Sequence, residues 1–565
     1  MMRSLRNYSG LMRKIKEVDM EIMEQKSIYR NVTIYHTLPE CLLAVGNLYA
    51  EKPAITMFGR DRKEQSVTYK EFVKDVQGAA FMMEQRNMSG RHIALVGENS
   101  YEWIVAFCAA GCIGSVSVPI DVEHPEEEIV NLAEFADATF TIVQKEFLPA
   151  FEGWQKEMVI QMETTFAEMI QKGREAIQTK GIEEFEFGKK VEQDTPLAIV
   201  YTSGTTSVSK AVVLSHYNLM YDACCCQASV KLEDRMFNPL PLYHTYSLGC
   251  GVLNILAHGQ NICINGNLKT LFRDIKLYSP SIMMAVPLVL ENLLKEIHRV
   301  QEKMGIRGQV EQAVEKYRKG LFMKKPVLLN GMSEILGENL RTICCGGAHL
   351  NEKIAEEFFA YGIDLLQGYG ITECSPLISN SIRGQNRINS VGQLLPGIEM
   401  KIADGEILVK GPNVFKEYYK NPVVTEESFT DGWFHTGDIG YLDRKGFLYI
   451  CGRKKNLIVF NNGKKVVPEE LEAYIHQIPL VKEVMVYGAS TGNALDEVKL
   501  SALICVDTDQ TEETDNYKIL ETIQEEIQEL NMRLPIYKRI QSVKLSESEF
   551  QKTSMQKIQR RKVNV

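Results

Sequence analysis

Apolar positions along residues 67–120 recur first at helical and then at strand spacing. Thr68 stands as an N-cap before a periodic stretch holding Phe72, Val73 and Val76, so a helix is predicted to begin there. Residues 93–96 form a short apolar strand, 103–112 are apolar on several faces, and 115–120 are strand-like again. Strand and helix in alternation predict a parallel sheet covered by helices on both faces. A charged helical stretch is predicted over 156–190 and a buried strand over 197–201. Polar helices are predicted over 289–336, as a lid, an insertion or plain surface. Between 391 and 450 the pattern shortens to strands separated by turns at Gly392, Gly397, Asp404-Gly405, Asp431-Gly432 and 443–446, which predicts a compact β unit. From 452 a smaller α+β region follows, with strands near 484–487 and 500–506 and a helix over 512–534.

Composition narrows the class. A chain of 565 residues with 45% hydrophobic and 24% charged residues suits a soluble protein of several domains. The net charge of −9 argues against a dedicated nucleic-acid binder, which needs a concentrated basic field. Lys316, Arg318, Lys319, Lys324 and Lys325 read as a solvated helix face. Thirteen cysteines, with runs at 224–226 and 344–345 and no Cys-x-x-Cys pair, point to reduced thiols in a cytoplasmic enzyme rather than to disulfides or structural zinc. Arg3, Arg6, Arg13, Lys14 and Lys16 lie among apolar residues but without the run that a signal peptide needs. A frayed tail is expected there, with peripheral membrane contact as the most that pattern supports. The apolar window 104–120, broken by Gly111 and Gly114, reads as a buried helix entering a strand and not as a membrane span.

The stretch 199–210 carries the first chemistry: Ile-Val-Tyr-Thr-Ser-Gly-Thr-Thr-Ser-Val-Ser-Lys. A buried strand ends at Tyr201, small hydroxylated residues follow, then a lysine and a second apolar strand. This is a polyphosphate cradle. Gly204 lets backbone approach closely, Thr202, Ser203, Thr205 and Thr206 supply hydroxyls and N–H donors, and Lys210 supplies positive charge. It is not a Walker loop, because no Gly precedes Lys210 and no Ser or Thr follows it.

This loop resembles the phosphate loop of the adenylate-forming superfamily, which includes acyl-CoA synthetases, carrier-protein adenylation domains and luciferases. Three further motifs match in order, and the resemblance spans about residues 67–560: Gln-Gly-Tyr-Gly-Ile-Thr-Glu at 367–373, Gly-Trp-Phe-His-Thr-Gly-Asp at 432–438 with Gly-Arg-Lys-Lys-Asn-Leu-Ile at 452–458, and Lys-Thr-Ser-Met-Gln-Lys-Ile-Gln-Arg at 552–560. The resemblance implies an α/β fold. A large N-terminal domain, residues 1–451, would hold parallel sheets covered by helices plus a distorted β-barrel; a small mobile α+β C-terminal domain, residues 452–565, would carry the catalytic lysine. It also implies roles. Tyr369 would pack on adenine, with Gly347 and Ala348 forming the turn between adenine and the acyl pocket. Thr372 would contact the α-phosphate and Glu373 would hold Mg²⁺. Asp438 and Arg453 would bind the ribose, Lys455 would be the hinge, and Lys557 would swing over the reacting carboxylate. Pro-Leu-Pro-Leu-Tyr-His at 239–244 resembles the segment beside the acyl tunnel, where His244 is either a pocket wall and gate or a hydrogen-bonded core histidine.

The chain departs from the pattern at three places. Ser207-Val208-Ser209-Lys210-Ala211 stands where the pattern reads Gly-x-Pro-Lys-Gly, Gln556 stands where a Gly usually precedes the terminal lysine, and His349 follows Gly346-Gly347-Ala348 in place of Pro. No charged ligand is lost. The implied reaction activates a carboxylic acid, closest to a medium- or long-chain fatty acid, with ATP and Mg²⁺, and passes the acyl group to coenzyme A. Three alternatives stay open: transfer to an acyl carrier protein, an aryl or other small acid as the substrate, and a degenerate protein that binds nucleotide or acyl chains without turnover.

Overall fold

The computed structural model describes residues 31–58, 63–180, 187–188, 191–202, 210–266, 268–319, 333–460, 464–489, 498–508, 513, 515–552 and 558–560. They fall into two compact units: 31–399 with 410–434, and 400–409 with 435–560. The architecture is α/β, with a large unit of mixed sheets and helices and a smaller α+β unit.

The larger unit is built on two sheets. The first runs Glu417–Tyr418, Ala211–Ser215, Pro196–Tyr201, Val116–Ile120, His92–Val96, Ala138–Val143, Val159–Gln161. Pairings from Pro196–Tyr201 outward to Val159–Gln161 are parallel, and the other two are antiparallel. The second has nine strands, with Asn261–Ile264, Arg235–Asn238, Ile282–Ala285, Thr342–Cys345 and Asp364–Gly370 adjacent and parallel.

The helix predicted after Thr68 is Tyr69–Gln85. Thr68 Oγ1 accepts the Glu71 N–H at 3.3 Å, and Glu71 Oε2 accepts the Thr68 N–H at 2.9 Å. Two donors at the helix start are thereby satisfied reciprocally. Tyr101–Cys112 is buried over ten consecutive residues, as its all-round apolar pattern requires. None of the helices among the described residues is long and apolar enough to cross a membrane.

The stretch 156–190 differs from the single helix expected. A short 3-10 turn, the strand Val159–Gln161 and a π-helical turn precede the helix Ala167–Lys180. Ile160 is fully buried where this strand pairs with Ala138–Val143. An edge strand of three residues leaves no alternating pattern to read, and its charged neighbours mimic a helix face. Within 289–336 the helices are Pro287–Lys303, Arg307–Arg318 and Ser333–Leu336. All thirteen cysteines are free thiols; Cys344 and Cys451 are half-buried and the others buried.

In the smaller unit, Glu399–Ala403, Glu406–Lys410 and Trp433–Leu442 follow in sheet order, and Leu448–Arg453 pairs with Trp433–Leu442. Further on, Val481–Ala489, Lys499–Val506 and Ser542–Leu545 form a three-stranded sheet. The helix Asn516–Arg533 starts at Asp515, whose side chain accepts the Tyr517 N–H. Its Ile519, Ile523 and Ile527 share one face and are buried in the same core as Val484, Val486, Leu500 and Ile504.

Thr68→Ala removes one half of the reciprocal cap. It should lower the unfolding free energy of the larger unit by about 1 kcal/mol, read as a shift of its transition in urea with unchanged slope.

Candidate active site

The phosphate-loop candidate is closed by a hairpin. Pro196–Tyr201 pairs antiparallel with Ala211–Ser215, with Tyr201 opposite Ala211. Beyond that register the ladder continues for one residue on each side: Thr202 N–H donates to Lys210 O at 2.9 Å, and Lys210 N–H reaches Thr202 Oγ1 at 3.4 Å. Thr202 and Lys210 thus hold the base of a loop whose residues Ser203, Gly204, Thr205 and Thr206 lie outside the described residues.

Thr372 and Glu373 follow the strand Asp364–Gly370 in a short 3-10 turn, Thr372–Cys374. The chain turns so tightly here that a Cβ on Gly370 would lie 1.8 Å from Pro376 O, which explains the glycine. A second segment staples the turn. Phe415 N–H donates to Glu373 O at 2.8 Å, and Asn413 Nδ2 donates to Cys374 O and Leu377 O at 2.9 and 2.8 Å.

Tyr418 joins the two pieces. Its strand, Glu417–Tyr418, pairs with Ala211–Ser215 and places Tyr418 opposite Val212. Its hydroxyl donates to Glu373 Oε1 at 2.8 Å, and Lys210 Nζ sits 4.4 Å from its ring centroid. Burial first, and then the Glu373 carboxylate, push the Tyr418 phenol well above its ordinary value, so it remains a donor. The ring draws the Lys210 ammonium to its face. Tyr418 engages Oε1 of the half-buried Glu373. One carboxylate beside a phosphate cradle fits Mg²⁺, which binds few protein oxygens and takes the rest from phosphates and water.

The third piece leaves the end of Thr342–Cys345, the strand beside Asp364–Gly370. A Cβ on Gly346 would lie 3.2 Å from the Tyr246 ring and 3.4 Å from Gly368 O, so the sequence keeps this position bare. Tyr246 donates to Cys344 O at 3.1 Å, tying the turn to the π-helical segment Tyr246–Leu253 that follows His244. His244 is half-buried and packs against the Tyr243 ring at 4.9 Å between centroids. Gly347 (φ +87°) and Ala348 are exposed, and Tyr369 is buried within its strand.

In the smaller unit, Asp438 and Arg453 stand opposite each other on paired strands. Arg453 Nε meets Asp438 Oδ1 at 2.7 Å, with Asp438 buried and Arg453 partly exposed. Lys455 is exposed in the 3-10 turn Lys454–Asn456. Lys557 lies outside the described residues, between Lys552 and Ile558, which form an isolated antiparallel bridge. Sequence reading missed Tyr418 and Glu406. The doublet Tyr418-Tyr419 before Lys420 was a local signal for the first, and the carboxylate directly after the Asp404-Gly405 turn was one for the second.

Comparison with known proteins agrees with this geometry. Residues 44–419 match the family described as AMP-binding enzyme, and residues 455–565 match the AMP-binding enzyme C-terminal domain. The chain therefore belongs to the AMP-binding enzymes, and its fold is that of the adenylate-forming superfamily. The long-chain-fatty-acid–CoA ligase FadD15 of Mycobacterium bovis is 27% identical over 459 residues, 75% of each chain. The anthranilate CoA ligase AuaEII in complex with anthranoyl-AMP has a TM-score of 0.75 at 19% identity, over 94% of this chain and 97% of that one. The O-succinylbenzoate coenzyme A synthetase of Bacillus subtilis, in complex with ATP and magnesium ion, has a TM-score of 0.70 at 23% identity, over 92% and 98%. Membership and these relatives support AMP-forming ligation of an acid to coenzyme A as the chemistry.

Tyr418→Phe keeps the ring under Lys210 and removes the bond to Glu373. Loss of such a supporting bond should weaken the Mg²⁺ dependence of ATP binding about tenfold or more, read by titrating Mg²⁺ at fixed ATP. Tyr418→Leu removes the ring as well and should weaken ATP binding further.

Proposed function

We propose that this chain converts a medium- or long-chain fatty acid, ATP and coenzyme A into the acyl thioester, AMP and pyrophosphate. The observation that carries the reading is the Tyr418 junction, which draws Lys210 of one motif and Glu373 of another to one aromatic ring. Similarity to a long-chain-fatty-acid–CoA ligase favours the fatty acid, as does the run 452–470 with its Gly-Arg-Lys-Lys-Asn-Leu-Ile and Val-Pro-Glu-Glu.

In the first half-reaction the substrate carboxylate attacks the α-phosphorus of ATP. The bond to pyrophosphate breaks and acyl-AMP forms. Positioning and charge stabilisation are the protein's tasks. Thr202, Ser203, Gly204, Thr205, Thr206 and Lys210 cradle the phosphates. Tyr369, Gly347 and Ala348 receive the adenine, and Asp438 and Arg453 fix the ribose. Thr372 contacts the α-phosphate, and Lys557 places its charge over the reacting carboxylate. Mg²⁺ bound through Glu373 supplies neutralisation of phosphate charge. His244 and Gly347 border the acyl chain. In the second half-reaction the coenzyme A thiol attacks the acyl carbonyl and AMP leaves, after residues 452–565 turn about Lys455 to exchange Lys557 for the thiol.

The test incubates the purified chain with Mg²⁺, ATP and acids from acetate to oleate, plus benzoates, with and without coenzyme A. Pyrophosphate and a coenzyme A thioester confined to the longer alkyl acids are expected. Thioesters of benzoates alone would overturn the fatty-acid assignment, acyl-AMP accumulating regardless of coenzyme A would overturn the acceptor, and no pyrophosphate with any acid would overturn the enzyme. Lys557→Ala should slow pyrophosphate release about 10²–10³-fold while largely sparing thioester formation from supplied acyl-AMP. Lys455→Pro, which fixes one hinge dihedral, should do the reverse.

A further inference from the structure

The Asp438–Arg453 pair is held from behind by one carboxylate. Glu406, the first residue of the strand Glu406–Lys410, is only 4% exposed. Two of its three side-chain partners adjoin the pair. Glu406 Oε1 accepts the Gly437 N–H at 3.2 Å, one residue before Asp438. Glu406 Oε2 meets Lys454 Nζ at 2.7 Å, one residue after Arg453, and His435 Nδ1 at 3.1 Å. The next residue extends the hold. Ile407 O accepts from Thr436 Oγ1 at 2.7 Å, and that hydroxyl oxygen accepts the Asp438 N–H at 3.1 Å.

Burying a carboxylate is costly unless it is paired and hydrogen-bonded. Burial here pushes the Glu406 carboxyl up, but Lys454 and His435 together outweigh it and hold it below its ordinary value. The charge is therefore kept, at a point that touches both strands beside the pair. A buried charge whose partners flank two other functional side chains fixes their spacing.

We propose that Glu406 is a positioning residue for the nucleotide ribose: by fixing Gly437 and Lys454 it sets the separation of the Asp438 carboxylate and the Arg453 guanidinium that receive the ribose hydroxyls. The proposal rests on the ribose-binding reading of those two residues. Its signature is selectivity for the 2′-hydroxyl, which depends on placement, whereas general loosening of the unit weakens all nucleotides alike.

Binding of AMP and of 2′-deoxyAMP to the full chain is measured by calorimetry, with melting temperatures recorded alongside. The native protein should prefer AMP about tenfold or more, the scale of a hydrogen bond to a charged group. Glu406→Gln keeps the shape and removes the charge, and should narrow that preference to about threefold or less. Lys454→Met, at a side chain 55% exposed, should narrow it too, and it decides the matter if Glu406→Gln fails to fold. A preference left intact while both nucleotides weaken equally would overturn the positioning role and leave the ribose reading standing. Absence of any preference in the native protein would overturn the ribose reading itself.

Discussion

The phenol of Tyr418 is where three stretches of chain that are far apart in sequence meet. Its ring lies under Lys210, its hydroxyl holds Glu373, and its backbone extends the strand Ala211–Ser215. The constraint behind this is electrostatic. In the proposed reading Lys210 serves a polyphosphate and Glu373 its cation, and the two, if paired directly, would have to be separated, at a cost, whenever nucleotide arrived. An aromatic face and a phenolic hydroxyl hold both charges in place without consuming either.

The smaller unit solves a related problem in the opposite way. Asp438 and Arg453 are paired with each other, so under the proposed ribose role their spacing is set by the strands that carry them. Cross-strand placement brings the two side chains opposite one another. Glu406 then accepts from three donors, the Gly437 N–H, Lys454 Nζ and His435 Nδ1, two of them directly beside the pair. In the proposed reading, charge is offered to a phosphate on one unit and matched internally for a neutral sugar on the other.

Much of this was legible in the sequence, for identifiable reasons. The alternation over 67–120 marked a parallel sheet because each element was long enough to show its period, and Thr68 marked a helix start. Thr202 and Lys210 stood out because a run of small hydroxylated residues and a lysine follows an apolar strand, whereas Gly346, Glu373 and Asp438 were singled out only by the resemblance to the adenylate-forming superfamily. The strand Val159–Gln161 did not stand out, since three residues carry no period. Tyr418 was hidden for a different reason: its partners are 45 and 208 positions away, as the numbering of Glu373 and Lys210 shows, and only the fold brings them within reach. Glu406 directly follows the Asp404-Gly405 turn, and its buried charge depends on donors from the later strand Trp433–Leu442 and the turn Lys454–Asn456.

The thirteen free thiols take on a meaning in this setting. An acyl-adenylate is an electrophile made to be captured by sulfur, and a protein that forms one carries its own sulfur close by. Cys344 lies two residues before Gly346, yet burial pushes its thiol up to about 12, and Cys451, on a strand of the smaller unit, is pushed up to about 12 by burial as well. The nucleophile in such a reaction is the thiolate, and these side chains supply almost none at neutral pH. Packing that serves the sheets thus also leaves these two thiols poor nucleophiles.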